Sequence, residues 1–371
     1  MRIIRDTDPL DSSFIPDRLI ARERELSIIE ENVINPLREG ITSPLWVYGY
    51  PGVGKTVTLK FLQKTVKSPR IIYENALSHG SIRAILTSML SQLGRFIPPS
   101  GTTYKQIFTA LRDLSAKSGT DFILVLDEAS QLYRDMEGMY NLSRAGEIHG
   151  VLLSPIFISI DPPEVYSSFR ERAGAMRMST LKFNKYSSDE LYFIVKDRSE
   201  SALNDGAYDD TILHYIAETS EPYGSARVAI ETLQKAAFMA EYRNAESIEI
   251  EDVRGAVSLI DPYITESKLA ELNAKDLVTL LAVCRLLRVS VSTDMKHIVP
   301  EIRSVMEAYP VVRNEFRVYD TVRRLERAGF VTSHVIGRGD RKGVSKVIQI
   351  NDIPVSILSQ KIESILSRMS A

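Results

Sequence analysis

Short apolar runs alternate with longer helical stretches through the first half of the chain. Residues 45–48, 71–73, 122–126 and 156–160 form four such runs, each of the length expected for a buried strand. Strands that alternate with helices are typical of an α/β fold, in which helices flank a mostly parallel sheet. The pattern therefore predicts an α/β domain with a parallel sheet over residues 1–182.

The hydrophobic pattern becomes helical after residue 183. Apolar residues at helix-like spacing continue through residues 187–258, which predicts a small helical lid over residues 183–264. Residues 268–328 are again helical, and two β-like runs at 331–336 and 345–350 then enclose a glycine-rich, basic turn. Helices followed by a hairpin indicate a winged helix, which we predict over residues 265–371.

A glycine-rich segment follows the first apolar run and precedes a helical stretch. In such a loop, glycines let backbone N–H groups approach phosphate oxygens at a helix N-terminus, a lysine contacts the β- and γ-phosphates, and a hydroxyl ligates Mg²⁺. The segment thus predicts an ATP or ADP site, with Thr56 as a metal ligand. Its predicted binding residues are Gly49, Pro51, Gly52, Val53, Gly54, Lys55, Thr56 and Val57.

The apolar run at residues 122–126 ends in two carboxylates, Asp127 and Glu128. A strand-end Asp can hold Mg²⁺ through water, and an adjacent Glu can polarise the attacking water for hydrolysis. This pattern alone is a weak signal, but it gains weight in a chain that also carries a phosphate loop. We therefore predict that Asp127 binds the metal with Thr56 and that Asp127 and Glu128 are the catalytic residues.

Composition excludes several classes of protein. Cys284 is the only cysteine in 371 residues, so an intramolecular disulfide framework is ruled out. No apolar run approaches the roughly 20 residues that a membrane helix needs. The N-terminus carries no secretory signal. We therefore expect a soluble, cytoplasmic protein.

Basic charge is concentrated in the C-terminal region. Residues 265–371 carry 17 basic and 12 acidic side chains, whereas residues 1–264 carry 29 and 36. The regional net charges are therefore +5 and −7, although the whole chain has a net charge of only −2. Such asymmetry indicates an acidic body with a basic domain that could face DNA, or else an ordinary solvated surface.

The stretch from residue 315 to residue 328 has two stripes on a helical wheel. Val318, Val322 and Leu325 form an apolar stripe, and a polar stripe lies roughly 100° away. We predict that the polar stripe reads DNA and that the basic turn after it contacts the DNA backbone or minor groove. The predicted DNA contacts are Arg313, Arg317, Thr321 and Arg324 on the helix and Arg338, Arg341 and Lys342 on the wing. A protein-binding basic face remains an alternative.

These motifs resemble those of AAA+ ATPases, and further segments resemble the archaeal origin-recognition (Orc/Cdc type) replication initiators. Residues 14–25 are similar to the family's opening segment, which helps to enclose adenine and implies roles for Ile15 and Arg22. Residues 183–198 resemble its entry into the lid, which implies roles for Tyr186 and Ile194. Residues 224–227 resemble its sensor 2 motif, in which an arginine, here Arg227, contacts the phosphates.

Two positions depart from the family pattern. Ile160 stands where these ATPases commonly carry a polar sensor 1 residue, and Glu164 stands where an arginine finger is expected. An arginine finger can supply about 10³ to 10⁵ in rate. Ser159 or Asp161 could replace the sensor, and Arg170 or Arg172 the finger. We therefore expect nucleotide binding with weak or slow hydrolysis.

The resemblance implies an ATP- or ADP-binding initiator of DNA replication that uses Mg²⁺. Its expected partners are double-stranded origin DNA, the replicative helicase and related initiator subunits, and its expected location is the nucleoid. One alternative is a paralogous regulatory DNA-binding switch with little ATP turnover. Another is a signalling-type ATPase whose winged helix contacts protein.

Overall fold

The computed structural model describes residues 3–98, 101–165, 176–260, 269, 272–288, 290, 292–312, 316–328, 330–337, 344–350 and 355–370. The chain divides into two compact units. The first unit comprises Ile4–Asn204 and Gly224–Ile230. The second comprises Met1–Ile3, Asp205–Tyr223 and Glu231–Ala371.

A parallel five-stranded sheet forms the centre of the first unit. Its strands are β1 (Leu45–Tyr48), β2 (Arg70–Asn75), β3 (Phe122–Asp127), β4 (Leu153–Ser159) and β5 (Ser179–Lys182). The spatial order is β2-β3-β4-β1-β5. Since β1 lies beside β4, and β4 beside β3, the segments that follow these three strands emerge at one edge of the sheet.

Helices cover both faces of this sheet. They are α1 (Glu23–Ile29), α2 (Asn35–Arg38), α3 (Lys55–Thr65), α4 (Ile82–Gln92), α5 (Tyr104–Ser118), α6 (Met136–Ser143), α7 (Ala145–His149) and α8 (Ser188–Ala202). Successive β1 side chains point to opposite faces of the sheet. Leu45 and Val47 pack in one buried cluster, and Trp46 packs in the other. Burial on both faces explains why the strands are nearly continuous apolar runs.

Local capping fixes where several helices begin. Ser187 and Glu190 form a capping box at the start of α8, in which each side chain accepts from the other residue's backbone N–H. Thr103 and Gln106 do the same for α5. The α8 box therefore sets the position of a helix that contributes residues to the site described below.

The second unit is helical and ends in a winged helix. Its helices include α9 (Asp210–Ser220), α10 (Ala226–Tyr242, whose first five residues belong to the first unit), α11 (Ile250–Ile260), α12 (Ala274–Leu287), α13 (Met295–Ala308), α14 (Val318–Arg327) and α15 (Val355–Ser370). An antiparallel sheet has the order β6-β8-β7, with strands β6 (Thr293–Asp294), β7 (Thr332–Gly337) and β8 (Val344–Gln349).

Helix α12 is the centre of the winged-helix core. Every residue from Asp276 to Cys284 is buried, and the helix packs against α13, α14 and α15. A helix that is apolar nearly all round is typical of such a buried position. Among the described helices, none combines the length and apolar character that a membrane crossing requires.

The α/β class and the strand positions predicted from the pattern are confirmed. All four predicted strands of the sheet are present: the first has the predicted bounds, and the other three are extended or shifted by a few residues. Strand β5 was not predicted, because Leu181 is its only apolar residue. The domain boundaries at residues 182 and 264 stay a prediction.

Candidate functional site

The phosphate loop has a backbone that only glycine accommodates at two positions. Gly52 has φ +77° and Gly54 has φ +92°, in the left-handed region. A Cβ at Gly52 would overlap the Ser225 hydroxyl, and one at Gly54 would overlap the Tyr186 hydroxyl. The two glycines therefore allow the residues around Ser225 and Tyr186 to approach the loop closely.

Protein donors hold the loop's carbonyl groups. The Gly52 carbonyl accepts from the Ala226 N–H at 3.0 Å, and the Val53 carbonyl accepts from Arg22 Nε at 3.0 Å. In a planar trans peptide the next N–H points opposite to the carbonyl. Holding these carbonyls therefore turns the N–H groups of Val53 and Gly54 away from the donors and leaves them for an anion.

Lys55 is a buried cation at the start of α3. Its Nζ donates to the carbonyls of Gly49 at 2.6 Å and Tyr50 at 2.9 Å. Burial lowers the pKa of Lys55 to about 8, although the negative charges of Asp127 and Glu128 oppose the shift. A bound phosphate would place a negative charge beside the buried ammonium group and offset the cost of its burial, so this lysine is suited to an anionic ligand.

A hydroxyl and a carboxylate meet where the sequence predicts the metal ligands. Thr56 Oγ1 donates to Asp127 Oδ2 at 2.9 Å, and the Glu128 N–H donates to Asp127 Oδ1 at 2.9 Å. Hard oxygen donors of this kind suit Mg²⁺, which takes its other ligands from waters and phosphates. The residues therefore fit the ion. The Tyr73 hydroxyl also donates to Asp127 Oδ2, a contact that the sequence did not reveal.

The end of β4 places polar groups near the phosphate loop. Ser159 and Asp161 are both buried, and Ser159 Oγ accepts from the Asp161 N–H at 3.1 Å. The Asp161 charge is close enough to raise the pKa of Lys55 against the effect of burial. Ile160 instead contributes its carbonyl, which accepts from the Gly49 N–H at 3.1 Å. Asp161 is therefore the acidic side chain that this strand end brings to the site.

A cleft beside the loop lies within the first unit. It is lined by Ser12, Pro16, Arg18, Leu19, Ile20, Gly52, Gly54, Lys55, Thr56, Val57, Tyr186, Ile194, Asp197, Arg198, Ala226, Arg227 and Ile230. Eight of the predicted binding residues are among them, from the loop, Tyr186, Ile194 and Arg227. Gly49, Pro51 and Val53 shape the loop but do not line the cleft. Sequence reasoning named none of the lining residues from positions 12–20, although the resemblance had assigned residues 14–25 to the enclosure of adenine.

Two predicted residues of the opening segment lie outside the cleft lining. Ile15 does not line the cleft, which takes Pro16, Leu19 and Ile20 from that segment instead. Arg22 does not line it either, because its side chain is buried beneath the loop. The contacts with the nucleotide that the resemblance implied for these two residues stay a prediction.

Arg22 instead bridges three backbone carbonyls. Its Nε donates to Val53, its Nη1 to Ala21 at 2.8 Å and its Nη2 to Asn184 at 2.9 Å. The guanidinium lies 3.7 Å from the centre of the Tyr186 ring. A planar fork with donors in several directions can do this, whereas a point charge cannot. Arg22 is thus a positioning residue for the phosphate loop.

Arg198 joins α8 to the N-terminal segment. It is buried, its Nη2 donates to the Phe14 carbonyl at 3.3 Å, and its guanidinium lies over the Phe14 ring. Burial lowers the pKa of Arg198 and raises that of its neighbour Asp197. Arg198 belongs to the segment that resembles the family's lid entry, but no role was predicted for it. In the structure it lines the cleft.

Helix α14 presents a different face to solvent from the one predicted. Thr321 is buried with Val322 and Leu325, and its hydroxyl donates to the Arg317 carbonyl at 3.3 Å. The prediction that Thr321 contacts DNA is therefore wrong, because the buried arc of the helix is wider than the apolar stripe. Its exposed residues are Tyr319, Asp320, Arg323, Arg324 and Arg327.

Arg324 is held by a carboxylate on α12. Its Nε and Nη2 donate to Asp276 Oδ1 at 3.1 and 2.8 Å, and Asp276 is buried. One edge of the guanidinium is thus engaged, whereas the side chain is still exposed, so the prediction that Arg324 reads base edges stays a prediction. Arg323 and Arg327, which were not predicted, are also exposed on this helix. Arg317 is exposed, whereas Arg313, Arg338, Arg341 and Lys342 lie outside the described residues.

Strand β8 is tied to the same helix. Lys346 Nζ donates to Glu326 at 2.9 Å and lies 5.4 Å from the centre of the Tyr319 ring. The Ser333 hydroxyl on β7 donates to the other oxygen of Glu326. The two strands of the hairpin are therefore fixed against α14.

Known protein families match two parts of the chain. Residues 42–157 match the family described as AAA domain, and residues 192–258 match the family described as Cdc6 AAA+ ATPase-type lid domain. The first match covers the phosphate loop, Asp127 and Glu128, and the second covers all of α9 and α10 and most of α8 and α11. The AAA+ class and the lid expected from the sequence are confirmed.

Relatives are similar along nearly the whole chain. An ORC1-type DNA replication protein of Thermoplasma acidophilum is 40% identical over 349 residues, covering 94% of this chain and 100% of the relative. An ORC1-type DNA replication protein of Methanothermobacter thermautotrophicus is 27% identical, with 94% and 93% covered. Among solved structures, the ADP form of the Aeropyrum pernix ORC2 protein has a TM-score of 0.72 at 22% identity, with 99% and 100% covered. The Aeropyrum pernix ORC1 protein in complex with DNA has a TM-score of 0.61 at 23% identity, with 99% and 97% covered.

Proposed function

Because the chain belongs to the family of archaeal ORC1-type DNA replication proteins, we propose that it is a nucleotide-controlled replication initiator that recognises origin DNA. The observation that carries this proposal is the pairing of a complete phosphate site in one unit with a basic winged helix in the other. The first supplies a nucleotide switch and the second a surface for duplex DNA.

The nucleotide-binding part of the proposal rests on the phosphate loop. Val53 and Gly54 offer backbone N–H groups, Lys55 offers a buried positive charge, and Arg227 lines the same cleft. The ADP form of a similar fold, the Aeropyrum pernix ORC2 protein, supports the assignment of ATP or ADP. Mg²⁺ would be held by Thr56 directly and by Asp127 through water, and would neutralise charge on the phosphates.

We propose that hydrolysis at this site is slow. Glu128 directly follows Asp127 and would act as the base, but Ile160 cannot orient a water with its side chain. Glu164 would repel a transferring phosphate rather than stabilise it. The chain would then persist in one nucleotide state, which also favours the related role of a regulatory DNA-binding switch.

Helix α14 is the proposed DNA reader. Arg323 and Arg327 are exposed on the face opposite the buried side chains, and the hairpin is fixed beside them through Lys346. Arginine is the side chain that most often contacts guanine edges in the major groove. The DNA complex of the similar Aeropyrum pernix ORC1 protein supports this role. Recruitment of the replicative helicase, contacts with related initiator subunits and association with the nucleoid complete the proposal.

Two titrations test the proposed function. Isothermal titration of nucleotide-free protein with ADP should give binding that Lys55→Ala abolishes or greatly weakens. Fluorescence anisotropy should give salt-sensitive, sequence-selective binding to origin duplexes over scrambled ones. Unchanged ADP affinity in Lys55→Ala would refute the nucleotide site. Equal affinity for both duplexes would refute origin recognition and favour a protein-contact role for the winged helix.

A further inference from the structure

Tyr73 brings a third donor to the carboxylate of the proposed metal site. Its hydroxyl, on β2, donates to Asp127 Oδ2, the same oxygen that accepts from Thr56 Oγ1. The Glu128 N–H donates to the other oxygen. The donors thus come from a neighbouring strand, from the start of α3 and from the chain just after β3.

These donors leave the carboxylate little freedom. A carboxylate offers about four lone-pair positions. The Tyr73, Thr56 and Glu128 donors fill three of them, so Asp127 retains about one position for a metal-bound water. Asp127 is thus arranged to reach the ion through a single water and in a fixed orientation.

Tyr73 is itself held firmly in place. Its strand pairs in register with β3, with Tyr73 opposite Val125, and the amino group of Lys60 lies 5.4 Å from the centre of its ring. A phenol hydroxyl is a hydrogen-bond donor, and this one donates to Asp127 Oδ2.

We propose that Tyr73 is a positioning residue that fixes Asp127 for the Mg²⁺ ion of the nucleotide complex. This inference rests on the proposed nucleotide function and adds a residue that neither the motifs nor the resemblance pointed to. Groups that hydrogen-bond to metal-binding side chains typically contribute about 10- to 100-fold to metal affinity. Tyr73 does so without contacting the nucleotide.

The test compares Tyr73→Phe with the wild-type protein in titrations of ADP, with Mg²⁺ and with EDTA. Tyr73→Phe removes one hydroxyl and leaves the ring in the sheet. We expect ADP affinity in EDTA within about twofold of wild type, since the contacts that hold the loop carbonyls and Lys55 do not involve this hydroxyl. The apparent affinity for Mg²⁺ in the ADP complex should fall roughly 10-fold or more.

Tyr140→Phe is the matched control. Its hydroxyl lies on α6 and accepts from Arg144, so its removal is an equivalent deletion that leaves Asp127 untouched. Its Mg²⁺ affinity should equal that of wild type. Unchanged or tighter Mg²⁺ binding by Tyr73→Phe would overturn the inference, and so would an equal loss of ADP affinity with and without Mg²⁺. Failure of the wild-type protein to bind ADP at all would refute the proposed function itself, and this inference with it.

Discussion

Replacing Arg22 by Lys keeps the positive charge and removes the planar fork. A single ammonium group cannot reach the carbonyls of Val53, Ala21 and Asn184 together, because the guanidinium spans them with three different nitrogens. At least two of these carbonyls then lose their charged donor, and of the three residues only Val53 is buried. The stacking of the guanidinium over Tyr186 is lost as well.

The cost of this change can be estimated from the lost hydrogen bonds. A buried polar group left without its partner costs about 1 to 3 kcal/mol. Val53 is the one buried residue of the three, so loss of its donor predicts a free energy of unfolding lower by about 1 to 3 kcal/mol. Release of the Val53 carbonyl also frees the next N–H to turn away from the phosphate. Loss of that one bond predicts ADP affinity lower by about tenfold.

Urea unfolding followed by circular dichroism measures the first effect, and isothermal titration with ADP and with adenosine measures the second. Adenosine has no phosphate, so its affinity should change little in Arg22→Lys. Glu25→Gln is the matched control, because it removes the carboxylate 3.7 Å from Arg22 but leaves the three carbonyl contacts intact. Wild-type stability and ADP affinity in Arg22→Lys would refute the role given to the guanidinium. Equal losses for ADP and adenosine would mean that the whole cleft is disturbed.

Three further predictions concern charge, turnover and DNA. Because Lys55 has a pKa of about 8 when folded and a higher one when unfolded, the unfolded chain binds more protons above about pH 8. The free energy of unfolding should therefore increase as pH rises above about 8, and ADP affinity should fall because Lys55 loses its charge. An ADP affinity that stays constant between pH 7 and 9 would contradict the lowered pKa of Lys55. The rate of ATP hydrolysis in a single turnover should be well below the roughly 1 to 100 s⁻¹ turnover of kinases. Ile160→Asn should increase this rate. Rapid hydrolysis by the wild-type protein would mean that another residue orients the water. Arg323→Ala should weaken binding to the preferred DNA site by roughly 1 to 3 kcal/mol, measured by anisotropy, and should relax discrimination between sequences. Arg324→Ala should mainly lower thermal stability. A loss of DNA binding in Arg324→Ala but only of stability in Arg323→Ala would refute these roles.

The parts of the site that sequence predicted are those encoded by local spacing. The phosphate loop, Thr56 and the strand-end pair of Asp127 and Glu128 each depend on residues a few positions apart. Parallel strands also leave a clear signal when both faces are buried, as in β3 and β4. The edge strand β5, with Leu181 as its only apolar residue, leaves none.

The parts that sequence missed depend on contacts across long separations. Tyr73 meets Asp127 from 54 residues away, and Arg324 meets Asp276 from 48 residues away. A helical wheel assigns Arg324 to a polar face, but only the packed structure reveals a buried carboxylate that engages it. Arg22 likewise belongs to the recognised opening segment, yet its role follows from Val53 and Asn184, which no local pattern connects to it.

Footprinting of the full chain on chromosomal DNA around a replication origin, with ADP or ATP and Mg²⁺ present, tests the central claim most directly. The account predicts protection of a discrete origin site that is lost as salt increases and is weakened by Arg323→Ala. Binding of nucleotide without protection of any origin sequence over scrambled DNA would contradict it.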